Sequence, residues 1–383
     1  MIDGLAAAAA AFAAGATLRA DIRSGATRWV PDSYDYAIRM LRFRGVPLLE
    51  AQERAHAFLV TAPHAAGLQR FAAAYHGEPP WWRLFAPRVV YPALAALLYP
   101  RRGFLALRDV AAASHVASAV ALYRFLRRFG DRRSALALTV WYVRQPIVRD
   151  VAATAMTDST AMLLWILALD MLCGLTAGRG GWKRATLLTA ALSFTRPLPY
   201  LPLGGGVVTA LNAARTRDGA GMRTGAGITA IAFGCAVAVM AVLVRAGVPS
   251  TPDHLRAVRA AQANDVNEGA YDAMLAALGL ADDPTRSLGS WYVQTVLLSV
   301  ATTLKHVVTA VVPVLALPGF ARARRSEAPL LIGTLAGGLA GCAADPSPRG
   351  TLRTVVLPLL PVFAAGCMLA LAVRKRHGND GTP

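Results

Sequence analysis

Long apolar runs, repeatedly closed by clusters of arginine, constrain this chain more than any other feature. Phe104 to Tyr123 ends in Arg124, Arg127, Arg128, Arg132 and Arg133. Ser159 to Ala177 leads to Arg179, Lys183 and Arg184, and Leu198 to Ala213 to Arg215, Arg217 and Arg223. Trp291 to Leu317 ends at Arg322, Arg324 and Arg325, and Thr354 to Val373 at Arg374, Lys375 and Arg376. The intervening runs, Ser134 to Val148, Ala185 to Thr195, Ala226 to Val244 and Pro329 to Ala343, lack such clusters at their ends. Alternation of this kind is the sign of an integral membrane protein whose basic loops stay on one side.

Composition agrees. Only 16% of residues are charged while 55% are hydrophobic, and a soluble domain would carry more charge. The net charge of +18 raises nucleic acid as a partner. The arginines, however, sit between apolar runs rather than along one face, so nucleic acid is excluded and the lipid bilayer is the expected surrounding. Cys173, Cys235, Cys342 and Cys367 all fall in apolar runs without metal-ligand spacing and read as small packing residues.

The expected fold is all-α and polytopic, a single membrane domain over 1–383 with about ten transmembrane helices. Residues 1–18 form an alanine-rich first span. Residues 19–103 form a long extracytoplasmic loop carrying amphipathic surface helices, one of them near Pro47 to Val60. Membrane helices fill 104–245, a second outer loop occupies 246–290, and helices with a cytoplasmic tail occupy 291–383. With both termini cytoplasmic, all five basic clusters fall inside. The segment 84–99 then lies outside the bilayer, because a crossing there would turn every cluster outward. The setting is a cell (inner) membrane, crossed many times.

This parity gathers charged residues on the outer face. Asp32 and Asp35 stand in the stretch Val30-Pro31-Asp32-Ser33-Tyr34-Asp35-Tyr36. Asp150 and Asp158 flank the next outer turn. Arg196 interrupts two half-length apolar runs, where an unpaired charge is costly. Arg349 and Arg353 border the last run, and Lys305 lies within 291–317. Simpler explanations stand beside each. Asp32 caps a helix from Ser33 to Arg44, Asp158 caps its span, Asp150 pairs with Arg149, and Arg349 and Arg353 snorkel. Gly204-Gly205-Gly206 reads as a site of close helix packing.

The acidic motif after the first span, with Gly45-Val46-Pro47 following, belongs to a wider set. It includes Pro79-Pro80 and Arg88, the run Leu122-Tyr123-Arg124-Phe125, Thr195-Arg196-Pro197, and Arg353 with Leu357-Pro358-Leu359-Leu360-Pro361. Together these resemble the GT-C superfamily of membrane glycosyltransferases, which includes protein O-mannosyltransferase-like enzymes. The resemblance implies a polyprenyl-phosphate-linked sugar as donor and a hydroxyl on an extracytoplasmic glycan, lipid or protein as acceptor. It makes Asp32 the general base, with Asp35 second and Asp150 or Asp158 as a further acid. Arg196, Lys305, Arg349 and Arg353 would hold the phosphate, or a divalent metal held by carboxylates would do so. Two other classes are compatible with the sequence, a transporter or lipid flippase and a non-catalytic membrane scaffold.

Overall fold

The computed structural model describes residues 2–23, 29–62, 82–248, 287–309, 316, 318–320, 325–344 and 352–379. Regular structure among them is helical. The helices are α1 (Ile2–Arg23), α2 (Pro31–Phe43), α3 (Leu48–Thr61), α4 (Val90–Arg102), α5 (Leu105–Leu126), α6 (Arg132–Arg144) and α7 (Pro146–Ala152). They continue as α8 (Asp158–Thr176), α9 (Trp182–Ser193), α10 (Tyr200–Arg215), α11 (Gly219–Arg245), α12 (Leu288–Thr309), α13 (Ala328–Ala344) and α14 (Leu357–Asn379). Five segments are long and apolar enough to cross a membrane: Asp3–Arg23, Leu105–Leu126, Asp158–Thr176, Gly219–Arg245 and Leu352–Arg374. Helices of that length and composition associate with a lipid bilayer.

Two expectations about boundaries are corrected. The first helix does not stop at residue 18 but runs to Arg23. Its last turn is held by Asp21, which is buried and paired with Arg149. The run Ser134 to Val148 is two helices. Pro146 has no N–H and pushes Gln145 into an extended conformation, ψ 133°, so α6 ends and α7 starts in a new direction. The surface helix at Pro47 to Val60 is α3, Leu48–Thr61. The outer loop 246–290 lies mostly outside the described residues.

The helices pack in two layers, each with its own buried centre. α2 packs on α3, α4 and α5, around Tyr36, Tyr91 and Leu107. Tyr36 and Tyr91 meet edge-on at 5.2 Å, and the Tyr91 hydroxyl donates to the Leu107 carbonyl at 2.8 Å. The larger layer centres on α5, α8 and α14, with Trp165 wholly buried. The Trp165 indole donates to the Pro358 carbonyl at 2.8 Å, which fixes α14 against α8.

α10 is wedged between α11 and α13. The glycine run makes this possible. A Cβ on Gly204 would sit 2.7 Å from the Cα of Gly337, and one on Gly206 2.7 Å from the amide nitrogen of Thr229. Both helices therefore approach backbone to backbone, the small-residue contact of membrane helices.

Candidate active site

Four segments far apart in sequence meet at one end of the bundle. The first is the start of α2. Val30 is its N-cap, and the Val30 amide donates to Ser33 Oγ at 3.1 Å while Ser33 N donates to the Val30 carbonyl at 2.8 Å. Capping therefore belongs to Ser33, not Asp32, and the Asp32 carboxylate is left for other work. Ser33 Oγ also donates to the Ala155 carbonyl at 2.9 Å. Tyr36 reaches Thr157 at 3.2 Å between hydroxyls. These two contacts seat α2 on the bend that precedes α8.

The second segment is the start of α8. Thr157 is its N-cap and Asp158 its first residue, so Asp158 is not the cap. Its side chain is wholly buried and points at two guanidinium groups instead. Arg353 Nη2 donates to Asp158 Oδ2 at 2.6 Å, and Arg353 Nε lies 3.2 Å from each carboxylate oxygen. Arg196 Nη1 lies 2.7 Å from Asp158 Oδ1. The helix N-terminus adds its own positive field to both arginines.

The third segment joins α9 to α10. Arg196 sits there at 4% exposure. Its neighbour Phe194 accepts at its carbonyl from Val89 N and Val90 N, at 2.8 and 3.2 Å. That contact brings Arg88 to the site. Arg88 donates to the Tyr36 hydroxyl at 3.2 Å and lies 4.2 Å over the Phe85 ring.

The fourth is a π-helical turn, Leu352–Val356, leading into α14. Its cause is local. Pro358 has no N–H for the carbonyl four residues back, Thr354, and that carbonyl accepts from the Tyr200 hydroxyl at 2.7 Å. The turn presents Arg353 to both carboxylates, since Arg353 Nη2 also donates to Asp32 Oδ2 at 3.3 Å.

Asp32, Asp158, Arg196 and Arg353 are thus brought together. Arg88 and Tyr36 complete the group. In the sequence pattern Arg88, after Pro79-Pro80, belongs to the resembling motifs but is assigned no role in the site. Three guanidinium groups face two carboxylates, leaving one net positive charge. Hydrogen-bonding capacity is left over as well. Arg196 Nε and Nη1 and Arg88 Nε are buried with no hydrogen-bond partner among the described residues, although Nη1 is in ionic contact with Asp158. Buried groups of this kind ordinarily have partners. The arrangement suits a small anion rich in acceptor oxygens, and a phosphate is of that chemistry. Asp32, about a quarter exposed, is the carboxylate open to a second substrate.

The other predicted residues divide. Asp35 faces Arg39, whose Nε donates to Oδ2 at 2.7 Å, rather than the Asp158 cluster. Asp150 is exposed on α7, and Arg149 pairs with Asp21, so the expected Arg149–Asp150 pair is corrected. Arg349 and the Lys305 side chain lie outside the described residues. No group of three or more His, Cys, Asp and Glu among the described residues is placed to hold a metal ion. Arg353 already bridges Asp32 and Asp158, so a divalent cation there would have to displace it. The carboxylates do not fit a metal site.

Asp35 gives a pH-dependent expectation. Burial raises its carboxyl to about 6, against the opposing pull of Arg39, and Oδ1 has no hydrogen-bond partner among the described residues. A carboxyl whose affinity for protons is higher folded than unfolded stabilises the fold at low pH. That contribution is complete below about pH 4 and is lost as pH rises through 6. Asp35→Asn is therefore expected to match the wild type near pH 4.5 and exceed it by on the order of 2 kcal/mol at pH 7.5. Thermal unfolding in detergent at both pH values measures the difference, and a constant offset would refute the assignment.

No known protein family, curated protein or solved structure matches this chain.

Proposed function

We propose that the chain is a membrane glycosyltransferase that moves a sugar from a polyprenyl-phosphate donor to an extracytoplasmic hydroxyl. The observation that carries this reading is the meeting of Asp32 with Asp158, Arg196, Arg353 and Arg88 at one end of the bundle. A donor phosphate would take the leftover hydrogen bonds of Arg196 and Arg88. Arg353 would complete the cation set, held in place by Asp158. Asp32 would accept the proton of the acceptor hydroxyl. The bond between the new oxygen and the sugar's anomeric carbon forms as the bond from that carbon to the phosphate oxygen breaks. Negative charge passes from the acceptor side to the departing polyprenyl phosphate, where the arginines stabilise it.

The topology proposed with this reading has ten crossings: α1, α5, α6 with α7, α8, α9, α10, α11, α12, α13 and α14. The site then faces the extracytoplasmic side of a cell membrane, and both termini and the basic clusters face the cytoplasm. Helices α2 to α4 lie over the outer surface.

The test uses purified wild type and Arg88→Gln with a panel of polyprenyl-phosphate sugars. Release of polyprenyl phosphate by the wild type is expected. Arg88→Gln, which keeps a donor for Tyr36, is expected to weaken donor binding about tenfold or more. Neither binding nor turnover of any donor by folded wild type would overturn the proposal.

A further inference from the structure

A second polar site lies at the opposite end of the bundle. It forms where the last turn of α8, the end of α10 and the starts of α11 and α13 converge, and is a cavity of about 540 Å³ open to the surface at Asn212, Thr216, Asp218 and Ser326. Thr176 on its wall is eighteen residues from Asp158 along α8, or about 27 Å at helical rise. It is therefore a separate site from the acid–arginine cluster.

Its walls carry opposite charges. Asp218, in the turn between α10 and α11, caps α11. Its Oδ1 accepts from Ala220 N and Gly221 N, each at 3.0 Å, and the residue lines the cavity. Arg325, ahead of α13, stands on another wall and donates through Nη1 to the Arg128 carbonyl at 3.1 Å.

Between them runs a set of hydroxyls. Thr176, Thr209, Thr216 and Thr224 each give their proton to a carbonyl three or four residues back in their own helix. Their oxygens therefore meet a ligand as acceptors. Phe320 and Ile332 make the remaining wall apolar, and Ile332 is 40% exposed on the outer surface of the helices. Leu211 and Met222 are exposed on the neighbouring faces of α10 and α11. Among the described residues of the wall, one cation, one anion, hydroxyl acceptors and an apolar flank match a particular chemistry.

We propose that this cavity binds the headgroup of a phospholipid that carries both a phosphate and an ammonium group. The phosphate meets Arg325 and the ammonium meets Asp218 and the threonine oxygens. The acyl chains leave along Ile332, Leu211 and Met222. A glycerol headgroup with the same phosphate lacks the positive charge that Asp218 requires.

The experiment is native mass spectrometry of the full-length protein with phosphatidylethanolamine, phosphatidylglycerol or soluble O-phosphoethanolamine added in turn. Asp218→Asn and Arg325→Gln are the variants. Asparagine still caps a helix and glutamine still donates a hydrogen bond, so both keep the fold. Wild type is expected to retain phosphatidylethanolamine about tenfold more than phosphatidylglycerol. Asp218→Asn is expected to remove that preference, and Arg325→Gln to lower retention of both. Equal retention of the two lipids by all three proteins would overturn the site. Saturation by O-phosphoethanolamine without retention of lipid would overturn the lipid as its source.

Discussion

Asp32→Asn is expected to lower sugar transfer by about 10²–10⁴-fold while the protein stays folded and keeps its donor affinity. Asparagine has nearly the same shape and still accepts the 3.3 Å hydrogen bond from Arg353 Nη2. What is lost is the capacity to take up a proton, together with the charge facing Arg353, which leaves the site more positive for a donor phosphate. The position is also forgiving to the fold, since Ser33 rather than Asp32 caps α2 and Asp32 is partly exposed. Turnover in a polyprenyl-phosphate sugar assay, beside a donor-binding isotherm and a melting curve, separates the outcomes. Wild-type turnover in Asp32→Asn would remove Asp32 as the base. Lost turnover with lost binding would make it a residue of the phosphate site instead.

Asp158→Ala is expected to destabilise the protein by about 3–5 kcal/mol. Asp158 is wholly buried and faces Arg196, which is itself 5% exposed at the side chain. Removing the carboxylate strands that guanidinium away from water and releases Arg353 from its shortest contact. The cost comes from the uncompensated charge, not from the lost pair as such. A second change, Arg196→Met, should therefore recover part of the loss when added to Asp158→Ala. Unfolding in detergent of the two single variants and the double variant tests this. Strict additivity would show that Asp158 and Arg196 do not act as a pair.

Much of this site is legible in the sequence. In the topology expected from apolar runs alternating with basic clusters, Asp32, Asp158, Arg196 and Arg353 fall on one face by parity. What parity does not contain is distance. Asp35 and Asp32 share one helix, yet only Asp32 meets Arg353, because Asp35, a turn further along α2, is held by Arg39. Asp150 shares the face as well, but the proline break at Pro146 turns α7 and leaves it exposed. Arg88 is hidden for another reason. Its place depends on the hydrogen bonds from Val89 and Val90 to Phe194, a tertiary contact with no trace in local pattern. Asp32 and Asp158 both lie inside the position from which a side chain caps: Ser33 bonds the N-cap amide of α2, Thr157 takes the N-cap place of α8, and each aspartate meets a charged partner instead.

The π-turn at Leu352–Val356 has a consequence for how this molecule changes over evolutionary time. An extra residue in a helical turn acts as a phase shift of about 100° between what lies before it and what lies after. Arg353 and the buried apolar shaft of α14 are therefore set by two angular registers on one continuous rod. Residues 357–369 of that helix are buried among the other helices, so their packing can change without rotating the arginine. Conversely, loss of a single residue within the turn would rotate Arg353 off Asp158 while leaving every apolar contact of α14 in place, so the charged end and the packed shaft form separately inherited parts.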